Sequence, residues 1–152
     1  MQRTLVLLKP DAVARRLSGR ILARFEEKGL WLVAMKLVKP AKATAEKHYA
    51  EHASKPFFKD LLGFITSSPV VAMVLEGPDA IELVRLMVGK TKVTEALPGT
   101  IRGDFALSTQ QNLVHASDSL ESAAREIPIW FEQSELVDFK PCDGSWVSEK
   151  IR

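Results

Sequence analysis

The sequence predicts an α+β fold, one antiparallel sheet with helices on its face. Three observations predict it. First, β-rich apolar segments of strand length occur at residues 3–8, 30–38 and 70–76, with a shorter one at Leu113-Val114. Second, segments with helical apolar spacing follow the first and third of these. Third, Gly or Pro stands at most of the boundaries between them.

Each element follows from its own residues. RTLVLL at 3–8 stops at Lys9-Pro10, because proline donates no ladder hydrogen bond. Residues 18–28 set Ile21, Leu22 and Phe25 on one helical face, with Gly29 as the stop. LWLVAMKLV at 30–38 reads as a buried strand closed by Lys39-Pro40. Residues 44–53 form a polar helix, and Pro56 suits the first position of a second one running to about Thr66. Together these make a helical-hairpin insertion. The Val-rich strand at 70–76 ends at Gly77-Pro78. Ile81, Val84, Met87 and Val88 then mark a helix with Gly89 behind it. Residues 89–103 have no usable period and contain Gly89, Pro98, Gly99 and Gly103. A loop of that length in a compact domain is usually functional or disordered. A last strand ends at His115, and Asp118 caps a helix running to Ile127 before Pro128. Trp130 and Phe131 are assigned to the core. The tail from about 140 to 152 has Trp146 as its anchor. Without the hairpin the order is βαββαβ, the ferredoxin-like pattern, in one domain over 1–152. The pattern alone does not fix the chemistry.

Composition narrows the class. The 152 residues are 46% hydrophobic and 26% charged, which suits a soluble globular protein and excludes wholesale disorder. The longest apolar run, residues 70–75, falls far short of the ~20 residues that span a bilayer, so no membrane role is expected. Lys9 and Asp11 interrupt the apolar start and no small-residue cleavage site follows, so no secretory signal is expected. The single cysteine, Cys142, allows no internal disulfide, and a cytoplasmic location is the expectation. The net charge of +2 hides an asymmetry. Residues 1–60 hold 13 Lys or Arg against 6 Asp or Glu, while residues 61–152 hold 8 against 13. The basic half suits a polyanion such as a nucleotide, but its charge is too small to demand a nucleic-acid partner.

Several motif-like strings fail on context. Gly89-Lys90-Thr91 imitates the end of a P-loop, but Val84 stands where that motif needs Gly, and the string follows a helix. His48 and His52 lie four apart, yet HYAEH lacks the Glu of a zinc-protease helix and has no evident third ligand; both read as surface histidines. Arg102-Gly103-Asp104 reads RGD, an adhesion signal only outside the cell. Cys142 reads as inert packing.

The chemistry concentrates in NLVHASDS, residues 112–119. A strand that ends at His115, just before a helix start, presents an imidazole where free N–H groups favour negative charge. This segment resembles the N-x-x-H-[GA]-S-D-[SG] signature of nucleoside diphosphate kinases. VLLKPDAV, HYAEHASKPFF, PVVAMVLEG, LPGTIRGDF and ESAAREIPIWF resemble further segments of that family, in the same order and over nearly the whole chain.

The resemblance implies a set of roles. His115 takes the γ-phosphoryl group of a nucleoside triphosphate such as ATP and passes it to a nucleoside diphosphate. Lys9 and Asn112 bind the ribose 3′ hydroxyl, and Lys9 also lies near the transferred phosphate. Arg85, Thr91 and Arg102 hold phosphates. Phe57 stacks on the base with Leu61 beside it, and Tyr49 lies beside His115. Ser117 and Glu126 orient the imidazole. Mg²⁺ bridges the phosphates, held mostly by nucleotide and water, with no metal site made by the protein. Broad base acceptance follows from a stacking platform with no evident reader of base edges. The family assembles as tetramers or hexamers, and the extended tail leans toward a hexamer. Three positions depart from the family pattern: Ala12 after K-P-D in place of Gly, Lys92-Val93 in place of Asn-Pro, and Thr109 in place of an aliphatic residue. A nucleic-acid-binding or regulatory scaffold, and a phosphohistidine donor to proteins, are the alternative functions.

Overall fold

The structure, a computed structural model, describes residues 1–151. It runs β1 (Gln2–Leu8), α1 (Pro10–Ala14), α2 (Ser18–Glu27), β2 (Trp31–Val38), α3 (Lys42–His48), α4 (Phe58–Thr66) and β3 (Val70–Gly77). Then follow α5 (Ala80–Val88), α6 (Ile101–Phe105), β4 (Val114–Ala116), α7 (Leu120–Trp130) and α8 (Gly144–Val147). The strands form one antiparallel sheet in the order β2-β3-β1-β4. This is the predicted ferredoxin-like arrangement, with β1 and β3 central.

Helices cover both faces of the sheet, which explains why the central strands read as unbroken apolar runs rather than alternating ones. Val6 and Leu8 of β1 point to a cluster with Ile21 and Phe25 of α2, Val84 of α5 and Ile101 of α6. Leu5 and Leu7 point to the other side, among Ala45 of α3, Ile65 of α4 and Trp130 of α7. Leu5 through Leu8 are all fully buried.

The structure corrects several boundaries. Pro10 does more than end β1, since it opens α1 at a position where its missing N–H costs nothing. Pro56 lies in a turn, and α4 starts at Phe58. The stretch 89–103 is not all loop. It contains a 3₁₀ turn at Val93–Glu95 and the start of α6, which Thr100 caps by accepting from Gly103 N (3.0 Å). Gly89 ends α5 at φ +88°, and a Cβ there would collide with Thr100. His115 sits in the middle of β4, paired with Leu7, rather than at a strand end. Ser119, not Asp118, caps α7, with its hydroxyl accepting from Ser122 N (3.0 Å). That helix runs through Pro128 to Trp130. Trp146 is 92% exposed, so it anchors nothing within this chain, whereas Ile151 and Gly144 are buried. Cys142 is exposed, not packed.

Candidate active site

The site begins where β1 ends. Lys9 N donates to Leu113 O (2.8 Å), and Asp11 Oδ2 accepts from Leu113 N (3.0 Å). Leu113 between them has φ +74°, and Val114 N bonds back to Asn112 O (2.9 Å). That is a γ-turn with positive φ, strained for a leucine. Two bonds from the segment after β1 and full burial of the side chain hold it in place. The turn brings Asn112 Oδ1 within 2.8 Å of Lys9 Nζ and launches β4, which carries His115.

His115 is oriented from behind. Its Nε2 lies 3.2 Å from Glu126 Oε2. The Ser117 hydroxyl donates to the same oxygen (2.6 Å) and accepts from Leu5 N (3.2 Å). A carboxylate accepts, so Nε2 carries the hydrogen and Nδ1 keeps its lone pair. Burial holds the His115 pKa below its ordinary value; Glu126 works against this, while Lys9 and Arg85 reinforce it. The ring is therefore neutral near pH 7, as a nucleophile must be. Burial alone would raise the Glu126 pKa, but the hydrogen bonds from His115 and Ser117 hold it below the usual carboxylate value.

Around this pair lies a cleft of about 410 Å³. Lys9, Tyr49, Phe57, Leu61, Arg85, Thr91, Arg102, Asn112, His115 and Glu126 all line it. Of the residues singled out in the sequence, only Ser117 does not; it is buried behind Glu126. The cations differ in their ties. Arg102 is 3% exposed and gives three bonds to carbonyls: Nε to Asn112 O (3.3 Å), Nη1 to Gly89 O (3.0 Å) and Nη2 to Val114 O (2.6 Å). A guanidinium has five N–H groups, so two stay available for a ligand. Burial, then Arg85, lowers the Arg102 pKa to about 10. Among the described residues, Arg85 makes a single long side-chain bond, to Ala116 O (3.4 Å). Burial and Arg102 bring Lys9 down to about 8, against the pull of Asp11. Burial, with Glu126, pushes the Tyr49 phenol up to about 12, so it remains a donor.

Thr91 faces the cleft, and its carbonyl accepts weakly from Asn112 Nδ2 (3.4 Å). Two departures from the family pattern meet here. Val93 N donates to Thr109 Oγ1 (3.2 Å). A proline at 93 would have no N–H to give, and an aliphatic residue at 109 would have no oxygen to receive it. In this chain the bond joins the two positions, one on each side of the loop.

Sequence reasoning missed His48. It is 3% exposed, not a surface histidine, and its ring lies 4.5 Å from that of His115. The signal was present: Ala45, His48 and Tyr49 fall at helical spacing for one buried face. Glu51, His52, Asp118, Ser122 and Arg125 also line the cleft.

The family profile described as nucleoside diphosphate kinase matches residues 2–136. A nucleoside diphosphate kinase of Thermoplasma acidophilum is 59% identical over 138 residues, covering 91% of this chain and 93% of its own. That of Methanothermobacter thermautotrophicus is 54% identical over 150 residues, covering 99% and 100%. The chain belongs to the nucleoside diphosphate kinase family. Solved structures of nucleoside diphosphate kinases agree. A family protein from Babesia bovis superposes with a TM-score of 0.95 at 49% identity, covering 97% of this chain and 100% of its own. The Halobacterium salinarum nucleoside diphosphate kinase, solved in complex with CDP, gives 0.95 at 47% identity over 97% and 99%. Among the described residues, no helix is long and apolar enough to cross a membrane.

Proposed function

We propose that the chain exchanges γ-phosphoryl groups between nucleoside tri- and diphosphates by a ping-pong reaction through His115. The observation that carries this reading is the Ser117–Glu126–His115 array, which occupies Nε2 and leaves Nδ1 free in a cleft rich in cations. The Nδ1 lone pair attacks the γ-phosphorus, the bond to the β,γ-bridging oxygen breaks, and the nucleoside diphosphate leaves. A second diphosphate then attacks the phosphohistidine, and His115 recovers its lone pair. The imidazole turns cationic when Nδ1 bonds phosphorus, and the ionised Glu126 stabilises that charge. Lys9, Arg85 and the two spare N–H groups of Arg102 bind phosphate oxygens, each good charged bond contributing ~1.5–3 kcal/mol. Lys9 and Asn112 position the ribose, and Tyr49 donates beside His115. Thr91 holds a phosphate, and Phe57 with Leu61 supports the base. The CDP bound by the Halobacterium relative fits this use of the cleft.

The donor set suits Mg²⁺ carried on nucleotide phosphates. Of the carboxylates lining the cleft, Glu126 is committed to His115 and Ser117, and Asp118 Oδ1 accepts from the Ser122 hydroxyl (2.6 Å). Asp118 and Glu51 would face the waters of such an ion, whose contribution is to neutralise phosphate charge. We read 1–152 as one domain that works in the cytoplasm as a homo-oligomer, with a hexamer favoured by the extended tail; light scattering tests the assembly. An intact nucleophile with its cations disfavours the scaffold reading.

The test is direct. The chain is mixed with γ-labelled ATP and Mg²⁺, stripped of nucleotide, and assayed for acid-labile, base-stable label, then for transfer to GDP. Label should form and leave as GTP. His115→Ala should reduce labelling by ~10⁴-fold or more. A well-folded native chain that takes no label sinks the reading.

A further inference from the structure

Asp11 has no part in the scheme above, yet its carboxylate is bonded to the backbone beside the site. It stands in the first turn of α1, two residues after Lys9. Its Oδ2 accepts from Leu113 N at 3.0 Å, and Lys9 N donates to Leu113 O at 2.8 Å. Both backbone polar groups of Leu113 are thus taken up by the segment 9–11. Leu113 is fully buried and has φ +74°. A leucine keeps that conformation only where its surroundings offset the strain. Packing holds the Leu113 side chain and Lys9 N holds its carbonyl, but neither supplies an acceptor for its N–H. Without Asp11 that N–H would be buried and unpaired, on top of the strain. The other carboxylate oxygen, Oδ1, is buried with no hydrogen-bond partner among the described residues. A carboxylate placed there for one bond is a costly arrangement, and the bond it makes is the reason to look for a task.

What depends on the turn is Asn112. Its Oδ1 meets Lys9 Nζ at 2.8 Å, and its carbonyl accepts from Val114 N (2.9 Å) and Arg102 Nε (3.3 Å). The φ of Leu113 sets the direction of the chain between Asn112 and Val114, so relaxing it to a negative value would swing Asn112 out of place. We propose that Asp11 is a positioning residue for the sugar: its single bond to Leu113 N–H holds the positive-φ turn that keeps Asn112 Oδ1 beside Lys9 Nζ, and so sets the preference for nucleotides with a 3′ hydroxyl over those without one. The inference rests on the reading that Lys9 and Asn112 bind that hydroxyl. The chemistry suits it. A hydroxyl both donates and accepts, the ammonium has further N–H groups, and Oδ1 has a second lone pair. A 3′-deoxy nucleotide leaves the pair without its partner. Displacing the pair therefore removes an advantage that only the hydroxylated nucleotide has. Asp11 also favours the charged form of Lys9, against burial and Arg102. That effect acts through charge on every nucleotide alike and leaves the preference untouched.

The test uses the second half-reaction. Chain phosphorylated by γ-labelled ATP is stripped of nucleotide and mixed in single turnover with ADP or with 3′-deoxy-ADP. The ratio of the two second-order rate constants is the readout. The native chain should prefer ADP. Asp11→Ala removes the acceptor, and the ratio should fall by roughly tenfold, chiefly through slower reaction with ADP. Asp11→Asn keeps an acceptor for Leu113 N–H and drops the charge, so its ratio should stay native whatever its rates. Asp11→Glu keeps the charge and misplaces the acceptor by one methylene, so its ratio should fall as well; it decides the matter if Asp11→Ala does not fold. An equal loss with both diphosphates in folded Asp11→Ala overturns the proposal, because a merely structural residue would act that way. A ratio that falls as far in Asp11→Asn as in Asp11→Ala also overturns it, since charge and not the bond would then be responsible. A native chain that takes label but serves both diphosphates alike overturns it by removing Lys9 and Asn112 as sugar contacts. A native chain that takes no label is a different failure, that of His115 as nucleophile; the ratio of Kd values for the two diphosphates then reads the same preference in the same variants.

Discussion

The two ends of the cleft are built in opposite ways. At the end proposed to hold the phosphates, Asn112, Ser117, Arg102 and Glu126 are 0–4% exposed, and each is hydrogen-bonded to a neighbour. Strained backbone at Leu113 and paired strands fix that end in place. At the end proposed to take the base, Phe57 is 45% exposed and bordered by Leu61, with the His52 ring 5.7 Å away. The contrast teaches where precision matters. In-line phosphoryl transfer needs its nucleophile and cations fixed closely. Base binding in an enzyme that serves many nucleotides gains from an unspecific surface.

The largest test of this contrast lies within the phosphate end, between its two arginines. Arg102 braces the backbone with three bonds, while Arg85 has one long bond. Arg102→Met should lose roughly 3–5 kcal/mol of stability as well as activity, because a buried brace that bonds three carbonyls is removed. Arg85→Met should cost less than ~1 kcal/mol in stability while lowering kcat/KM by roughly 10–100-fold. Denaturant melts beside steady-state kinetics separate the two. Equal melts would break the distinction between brace and ligand.

Lys9 sharpens the comparison through pH. Its folded-state value of about 8 lies below the ordinary 10.5. Between these values the unfolded chain binds more protons than the folded one, so this group makes stability rise with pH across that window. The penalty of burying the charge is fully present below about pH 8 and relieved above it. Activity should run the other way, with kcat/KM falling above about pH 8 as the phosphate-binding charge is lost. Lys9→Met should abolish both slopes. Parallel slopes of activity and stability would show that the two effects have another source.

The same contrast governs what was legible in the sequence. The apolar runs of β1 and β3 announced the sheet because both faces are buried, whereas the run of β2 overstated its burial, since Met35 and Leu37 on this edge strand are exposed; NLVHASDS pointed to the candidate nucleophile. The short β4 was harder. Three residues carry no periodicity, and it is pairing with β1 that makes His115 mid-strand. Ser119 took the cap from Asp118, since both residue types can cap and only backbone direction chooses between them. Pro128 did not stop α7, because at that depth in the helix it forfeits one bond while Trp130 and Phe131 gain burial. The burial of His48 was legible in its helical spacing, but its place beside His115 was not, because it depends on contacts with β4 and with Trp130, 82 residues away in sequence. Trp146 was read as an anchor from its size alone, yet its position leaves it in solvent.

At the base end a smaller effect is expected. Phe57→Ala should raise KM roughly tenfold, in line with ~1–3 kcal/mol for a stacked base. The increase should be similar for ADP, GDP and CDP, because a π-face serves every base. A loss confined to purine or to pyrimidine diphosphates would show that a residue near Phe57 reads base edges after all.

The smallest effect concerns the loop that joins the two ends. Val93 N and Thr109 Oγ1 make one solvent-exposed bond, which brings the segment before Val114 against the 3₁₀ turn after Thr91. Val93→Pro removes the donor and pre-sets the turn, because proline suits the first position of such a helix. Thr109→Val removes the acceptor while keeping the branched shape. Each change alone should weaken the loop by ~0.5–1 kcal/mol, less whatever proline gains from a stiffer unfolded chain. Together they should cost less than their sum, since the second change removes a group already left without a partner. Hydrogen exchange at residues 89–103 reads the loop locally, and KM for nucleoside diphosphates reads its effect on Thr91. Strict additivity in both readouts would mean that Val93 and Thr109 are not coupled and that something else holds Thr91 in the cleft.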